Sequence, residues 1–258
     1  MLLRLFVLTF CCLGFNTARA ESPAGIDWSG FYLGGSVGAN MTRAETSTTV
    51  ADSVSYFTPP DPLQISNAGK GGSDLSEWNE SFGLQGGYGH QFGGLFIGIE
   101  ASAQTLSFSE TRSRTVEYLS SSGNDFTLRQ SVEAQWMASL RPRLGWAQDR
   151  WLAYVTGGVA MTRVEMDYRF NDTTSFVASS RSKSEKTKLG WTAGIGGEYA
   201  IDENWSIRTE YLYSNFGSLG TASDVMLDNG GFTASLNHSA DLQVHSAMLG
   251  VSYRFGAL

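Results

Sequence analysis

The sequence predicts an all-β fold: an eight-stranded antiparallel up-and-down transmembrane β-barrel with short periplasmic turns and four long external loops. Three observations predict it. Apolar and polar residues alternate with a period of two through eight segments. Every ionisable residue inside those segments falls on the polar face. The connections between segments alternate short and long, as they do in outer-membrane barrels. Composition agrees, since 30 of 258 residues are glycine but only 5 are proline and 17% are charged, unlike a disordered or collagen-like polymer. The formal charge of −7 disfavours a nucleic-acid partner. Beyond the N-terminus, no apolar run approaches the roughly 18 residues that a membrane helix needs.

The chain opens on a targeting segment. Arg4 precedes the apolar stretch Leu5 to Leu13, which is too short to span as a helix and leads to Ala18-Arg19-Ala20, a small-x-small cleavage pattern. Residues 1–20 read as a signal peptide and 21–258 as the barrel. Cys11 and Cys12 both lie inside the signal, so the mature chain has no thiol or disulfide chemistry. Phe10, directly before Cys11, rules out a lipoprotein site. Loss of Arg4 and Arg19 takes the formal charge from −7 to −9.

The first segment sets Phe31, Leu33, Gly35, Val37, Ala39 and Met41 against Tyr32, Gly34, Ser36, Gly38 and Asn40. The second sets Phe82, Leu84, Gly86 and Tyr88 against Ser81, Gly83, Gln85 and Gly87, and the third Leu95, Ile97, Ile99, Ala101 and Ala103 against Phe96 to Gln104. In the fourth, Ala134, Trp136, Ala138, Leu140, Pro142, Leu144 and Trp146 oppose Gln135 to Gly145. The fifth is apolar on both sides, with Trp151, Ala153, Val155, Gly157, Val159 and Met161 taken as its outer face. The sixth presents Leu189, Trp191, Ala193, Ile195, Gly197 and Tyr199, the seventh Trp205, Ile207, Thr209, Tyr211 and Tyr213, and the eighth Ala247, Leu249, Val251, Tyr253 and Phe255.

The ionisable residues of these segments are Glu100, Arg141, Arg143, Glu198, Arg208, Glu210 and Arg254. In a soluble sandwich the charged face would meet bulk water; in a membrane barrel it lines the lumen while the apolar face meets lipid. Connections and aromatics decide between them. Turns of roughly four to six residues join segments two to three, four to five and six to seven, whereas the others run to about 25–40 residues, near 42–80, 106–133, 163–187 and 215–240. With both termini on the short-turn side, Phe31, Tyr88, Trp146, Trp151, Tyr199, Trp205, Tyr253 and Phe255 ring the periplasmic end as an aromatic girdle. The lumenal charges then form an ion-paired plug, with Glu100, Arg141 and Glu210 near mid-barrel and the rest lower. A gated pore through that network is the alternative.

Several stretches resemble one family as a set: Trp28 to Gly35, Ile97 to Ala101, Arg141 to Trp146, Tyr154 to Ala160, Gly190 to Gly194, Asn204-Trp205 through Glu210 to Tyr213, and Gly250 to Phe255. The chain resembles the small alphaproteobacterial outer-membrane β-barrels, OmpA-like and porin-like major surface antigens that include hemin-binding members. The resemblance implies a Gram-negative outer-membrane protein, an abundant structural surface antigen that meets lipid, lipopolysaccharide and the barrel-insertion machinery. Two departures stand out. Gly256-Ala257-Leu258 follow Phe255, where such chains end on the aromatic, and Pro142 lacks the N–H that a mid-strand ladder uses.

Among the remaining candidates, His238 and His245 lie toward the external end of the last segment, with Ser235, Ser239 and Ser246 nearby. No spacing there establishes a catalytic triad, so no enzyme, metal or resident cofactor is expected. Either histidine is a candidate hemin ligand on an exposed loop. Arg181, Lys183, Lys186 and Lys188 cluster near the external end of the sixth segment, where they could clamp lipopolysaccharide phosphates, although Glu185 dilutes the patch. The first loop, with Asp52, Asp61, Asp74, Glu77, Glu80 and Pro59-Pro60-Asp61-Pro62, reads as an exposed, partly extended surface for host or environmental ligands. The functional readings are a structural surface protein, a narrow diffusion channel, or a hemin or host-ligand receptor.

Overall fold

The computed structural model describes residues 25–53, 56–70, 76–175 and 177–255. The signal segment, Asp74 and Gly256-Ala257-Leu258 lie outside the described residues. Eight strands follow in order, with one short helix between the first two: β1 (Gly30–Ser53), α1 (Asp61–Gly69), β2 (Ser76–Phe92), β3 (Leu95–Glu117), β4 (Asp125–Gln148), β5 (Trp151–Asp172), β6 (Ala178–Ala200), β7 (Trp205–Leu227) and β8 (Phe232–Phe255). Each strand is antiparallel to its neighbours, and pairing of β1 with β8 closes the ring. Closure leaves no open edge at the level of the lipid, which offers no hydrogen bonds to unpaired backbone.

The strands run far beyond the membrane. From Phe31 to Met41, at about 3.3 Å per residue and a tilt near 40°, the apolar belt is roughly 25 Å tall, the height of a hydrocarbon band. Above it the external connections are long, as the sequence reads them, but most of their length is strand. β5 shows how the wall continues. Its outward positions change from Val159 and Met161 to Arg163, Glu165, Asp167 and Arg169, while the inward ones change from Thr156 and Thr162 to Val164, Met166, Tyr168 and Phe170. The side-chain parity is unchanged; the polarity of the two faces is exchanged. The lower half is therefore apolar outside and polar inside, as lipid demands, and the upper half is polar outside with an apolar core, as water demands.

Bulges make local exceptions. One between Ala134 and Met137 turns both Gln135 and Trp136 outward, so Ala134, read as lipid-facing, is fully buried inside. At Pro142 the β4–β5 ladder skips from Leu140↔Val159 to Arg143↔Thr156 without a register shift, and Thr156 Oγ1 donates to the Pro142 carbonyl at 2.8 Å. Opposite this gap the strands press together: a Cβ on Gly158 would lie 2.2 Å from the Leu140 carbonyl oxygen. Gly158→Ala should lower stability by about 1–3 kcal/mol through the backbone shift it forces. The midpoint of the heat-modifiable gel transition measures this, and an unchanged midpoint would mean that the gap absorbs a methyl freely.

Among its described residues, the first external connection is not an extended loop. Pro60 and Asp61 open α1, with Asp61 buried and its Oδ2 accepting from Thr58 N at 3.2 Å. Ile65 and Ala68 pack into a distal core with Phe57, Phe126, Phe170 and Leu236. The helix thus roofs the barrel's outer end. On one side the upper wall is looser: the β6–β7 ladder is interrupted between Ser179 and Trp191. There Ser180 and Ser182 bond to Ser223 and Thr221, and Lys186 and Lys188 donate to the Gly220 and Ser218 carbonyls at 2.7 Å each.

Candidate functional site: a charged and sealed lumen

The lumenal charges converge because β3, β4, β6 and β7 carry them inward at matching heights; Glu100 stands opposite Arg141, and Glu198 opposite Arg208, in register. Glu100 is fully buried and central. It accepts from Arg141 Nη2 at 2.6 Å, from Arg208 Nη1 at 2.8 Å and from Arg143 Nη1 at 3.4 Å. Glu210 Oε2 takes both Arg141 Nη1 and Nη2 at 3.2 Å, and its Oε1 takes Arg208 Nη2 at 3.0 Å. Glu198 bonds Arg143 Nη2 at 2.5 Å. Three carboxylates thus neutralise three guanidinium groups away from water, where charges persist only if they are paired and hydrogen-bonded.

Two tyrosines complete the network, although charge alone does not point to them. Tyr32 OH donates to Glu100 at 2.9 Å and accepts from Arg143 at 2.8 Å. Tyr154 OH donates to Glu210 and accepts from Arg208, each at 3.0 Å, while the Arg143 guanidinium stacks 3.7 Å from its ring centroid. Both are lumen-facing aromatics among small residues, and that is the signal that could have found them. Arg254 stands apart from this cluster. It lies 4.3 Å over the Trp28 ring and donates to the Asp27 carbonyl at the periplasmic end.

Layers above and below the ionic cluster fill the lumen. Below it, Trp28, Phe96, Leu152 and Tyr154 pack together. Above it, Gln104 bridges Asn40 and Ser246, followed by a core of Leu106, Phe108, Met137, Val164, Phe216 and Leu242. The void beside Glu100, Arg141 and Glu210 measures about 10 Å³, no more than one water needs.

The eight predicted girdle aromatics stand at the short-turn end, and six of them form pairs, Phe31 against Tyr88, Trp151 against Tyr199 and Trp205 against Tyr253, at centroid distances of 4.7–5.0 Å. A second, partial ring, unread in the sequence, marks the upper edge of the belt on five of the eight strands: Trp78, Met41, His245 and Tyr213 share one register row, and Trp191 packs on Tyr213.

The histidines are not loop residues. His238 is buried within β8, stacked 4.4 Å from Tyr168, with Nδ1 bonded to Thr48 Oγ1 and Nε2 to Ser223 Oγ, both at 2.9 Å. Burial pushes its pKa down to about 4. His245 faces outward in the upper aromatic ring, its Nδ1 2.7 Å from Tyr211 OH. The two lie on opposite sides of the wall. Ser235, Ser239 and Ser246 bond instead to Asp224, Ser47 and Gln104. The basic cluster is also split. Arg181 pairs with Asp167, Lys183 with Glu165, and Lys186 and Lys188 lie over the β6–β7 seam.

A closed eight-stranded ring with a lipid-height apolar belt, two aromatic girdles and a charged interior defines an outer-membrane β-barrel of a Gram-negative bacterium. Related sequences agree. The chain belongs to the outer membrane protein beta-barrel domain family, which matches residues 8–255. It is 29% identical over 241 residues to the 31 kDa outer-membrane immunogenic protein of Brucella melitensis, covering 92% of this chain and 88% of that one. It is 27% identical over 235 residues to the 22 kDa outer membrane protein of Rhizobium leguminosarum, covering 90% and 80%. Among solved structures, the outer membrane protein OprG from Pseudomonas aeruginosa aligns at a TM-score of 0.47 and 14% identity over 89% of this chain and 97% of that one.

Proposed function

We propose that this chain is a non-conducting structural surface protein, a sealed barrel whose lipid-embedded half anchors a rigid β-walled extension exposed to the environment. One observation carries the reading: the interior is filled from Trp28 through the Glu100 cluster to the α1 roof, and the same strands form both halves. The extension offers a polar, ordered surface of the kind that antibodies engage, which fits the immunogenic name of the Brucella relative. The surroundings supply lipid and lipopolysaccharide at the two girdles, and the insertion machinery would act on β8 near Phe255. A hemin receptor gains no support from the histidines, since both ring nitrogens of His238 are engaged and His245 points toward the membrane interface.

Planar-bilayer recording of the refolded, heat-modifiable protein tests the seal. Silence from demonstrably folded protein is the expected result. Reproducible ohmic steps would overturn the reading and make Glu100, Arg141 and Arg208 selectivity residues.

A further inference from the structure

On the outer wall of the extension, three arginines stand side by side. The register pairs Arg129 of β4 with Arg169 of β5, and Arg169 with Arg181 of β6. All three point outward, so strand spacing of about 4.8 Å places like charges in adjacent positions. Directly opposed like charges destabilise a sheet pair. A single carboxylate answers them: Asp167 accepts from Arg169 Nε and Nη2 at 3.1 and 3.0 Å and from Arg181 Nη2 at 3.0 Å. Arg129 pairs with no carboxylate among the described residues. The hydroxyls of Thr111 and Ser131, bonded to each other at 2.9 Å, adjoin the ridge.

Toward the membrane the next outward row, Ser131, Asp167 and Lys183, carries no net charge, and the row below it has the opposite sign, with Glu133, Glu165 and Glu185 in register. Arg163 and Lys183 pair with Glu185 and Glu165, so the cations near the membrane are already neutralised. An anion approaching this wall is thus favoured only at the distal row. Arg169 lies eight residues beyond Met161, the last apolar outward residue of β5, or roughly 20 Å above the belt. That height clears lipid headgroups and reaches what stands above them.

We propose that Arg129, Arg169 and Arg181 form a binding ridge for an anionic saccharide, whose phosphate or sulfate groups are gripped at strand spacing. Guanidinium forks match both oxyanions in bidentate geometry, which a lysine patch does not. Two sources share this chemistry: phosphorylated core saccharide on the bacterial surface, and sulfated glycan met outside the cell. The ridge needs the exposed extension of the proposed function but is indifferent to whether the lumen conducts, so the two readings fail separately.

The test uses the full barrel in zwitterionic-lipid nanodiscs, titrated with a labelled heparin hexasaccharide and, separately, with a delipidated phosphorylated core oligosaccharide. At least one probe is expected to bind at about 150 mM salt and to weaken as salt rises. R129S/R169S/R181S should lower that affinity at least roughly tenfold, whereas K186S/K188S should leave it unchanged. Binding of the heparin probe alone assigns an external glycan, and binding of the core probe alone assigns the cell's own saccharide. No binding of either probe by the wild-type protein overturns the proposal, as does an unaltered affinity in the triple variant. If the triple variant loses heat-modifiability, R129D alone gives the same readout.

Discussion

Glu100→Gln is expected to destabilise the folded barrel by about 3–5 kcal/mol, the range for breaking one partner of a buried ion-pair network. The substitution keeps the shape and one acceptor oxygen but removes the charge that three guanidinium groups share. Glu198 and Glu210 would then face Arg141, Arg143 and Arg208 with one uncompensated positive charge, and the void of about 10 Å³ beside them has room for at most one water to hydrate it. The control is a second substitution that restores neutrality. Arg141→Met alone should also destabilise, because it strands carboxylate charge at Glu100 and Glu210. Glu100→Gln combined with Arg141→Met should be more stable than the two losses added together, since both charges leave at once. Urea midpoints of the four proteins refolded in detergent micelles give this cycle directly. Additive losses would mean that the network is not coupled. A stable Glu100→Gln variant that conducts would point to a lumen built for transport.

The lipid-facing half of this fold is plain in the sequence because lipid tolerates only one pattern. From Leu189 to Tyr199 or from Ala247 to Phe255, alternate residues are apolar or glycine without exception, and the charges sit between them. The extension is harder to read because water reverses the rule without altering the period. Val164, Met166, Tyr168 and Phe170 alternate with Arg163, Glu165, Asp167 and Arg169 as strictly as any membrane segment, but charges on the formerly apolar parity resemble a solvated loop. Scanning each parity separately would have carried β5 on to Asp172. The bulge at Gln135 and Trp136 has no such signal, since a single extra residue in a strand leaves no compositional trace. Of the lumenal cluster, the charged members follow from alternation alone. Their partnerships, and the separation of Arg254 onto Trp28, depend on the register of neighbouring strands and on which heights meet across the lumen.

The extension should loosen in acid, and His238 sets where. Its imidazole is buried at the meeting of β8 with β1 and β7, bonded to Thr48 and Ser223 and stacked on Tyr168, which is neutral in this range. Burial lowers its pKa to about 4, against an ordinary value near 6.5. Between those values the unfolded chain binds a proton that the folded one does not, so stability is full above pH 6.5 and falls as the pH drops toward 4. The full loss is on the order of 3 kcal/mol. Asp167, whose carboxylate is held below its usual range chiefly by its Arg169 hydrogen bonds, titrates at lower pH and at the surface, so it leaves this window to His238. Protonation makes both ring nitrogens donors. Ser223, which already accepts from Ser180 across the interrupted β6–β7 ladder, must then accept from His238 as well. Hydrogen exchange of the barrel in nanodiscs at pH 7 and pH 4.5 should show protection lost over residues 219–240 and 44–50, while the lipid-embedded strands stay protected. His238→Gln, which cannot ionise, should hold its protection constant across the same range. Equal acid sensitivity in the variant would move the cause to the surface carboxylates.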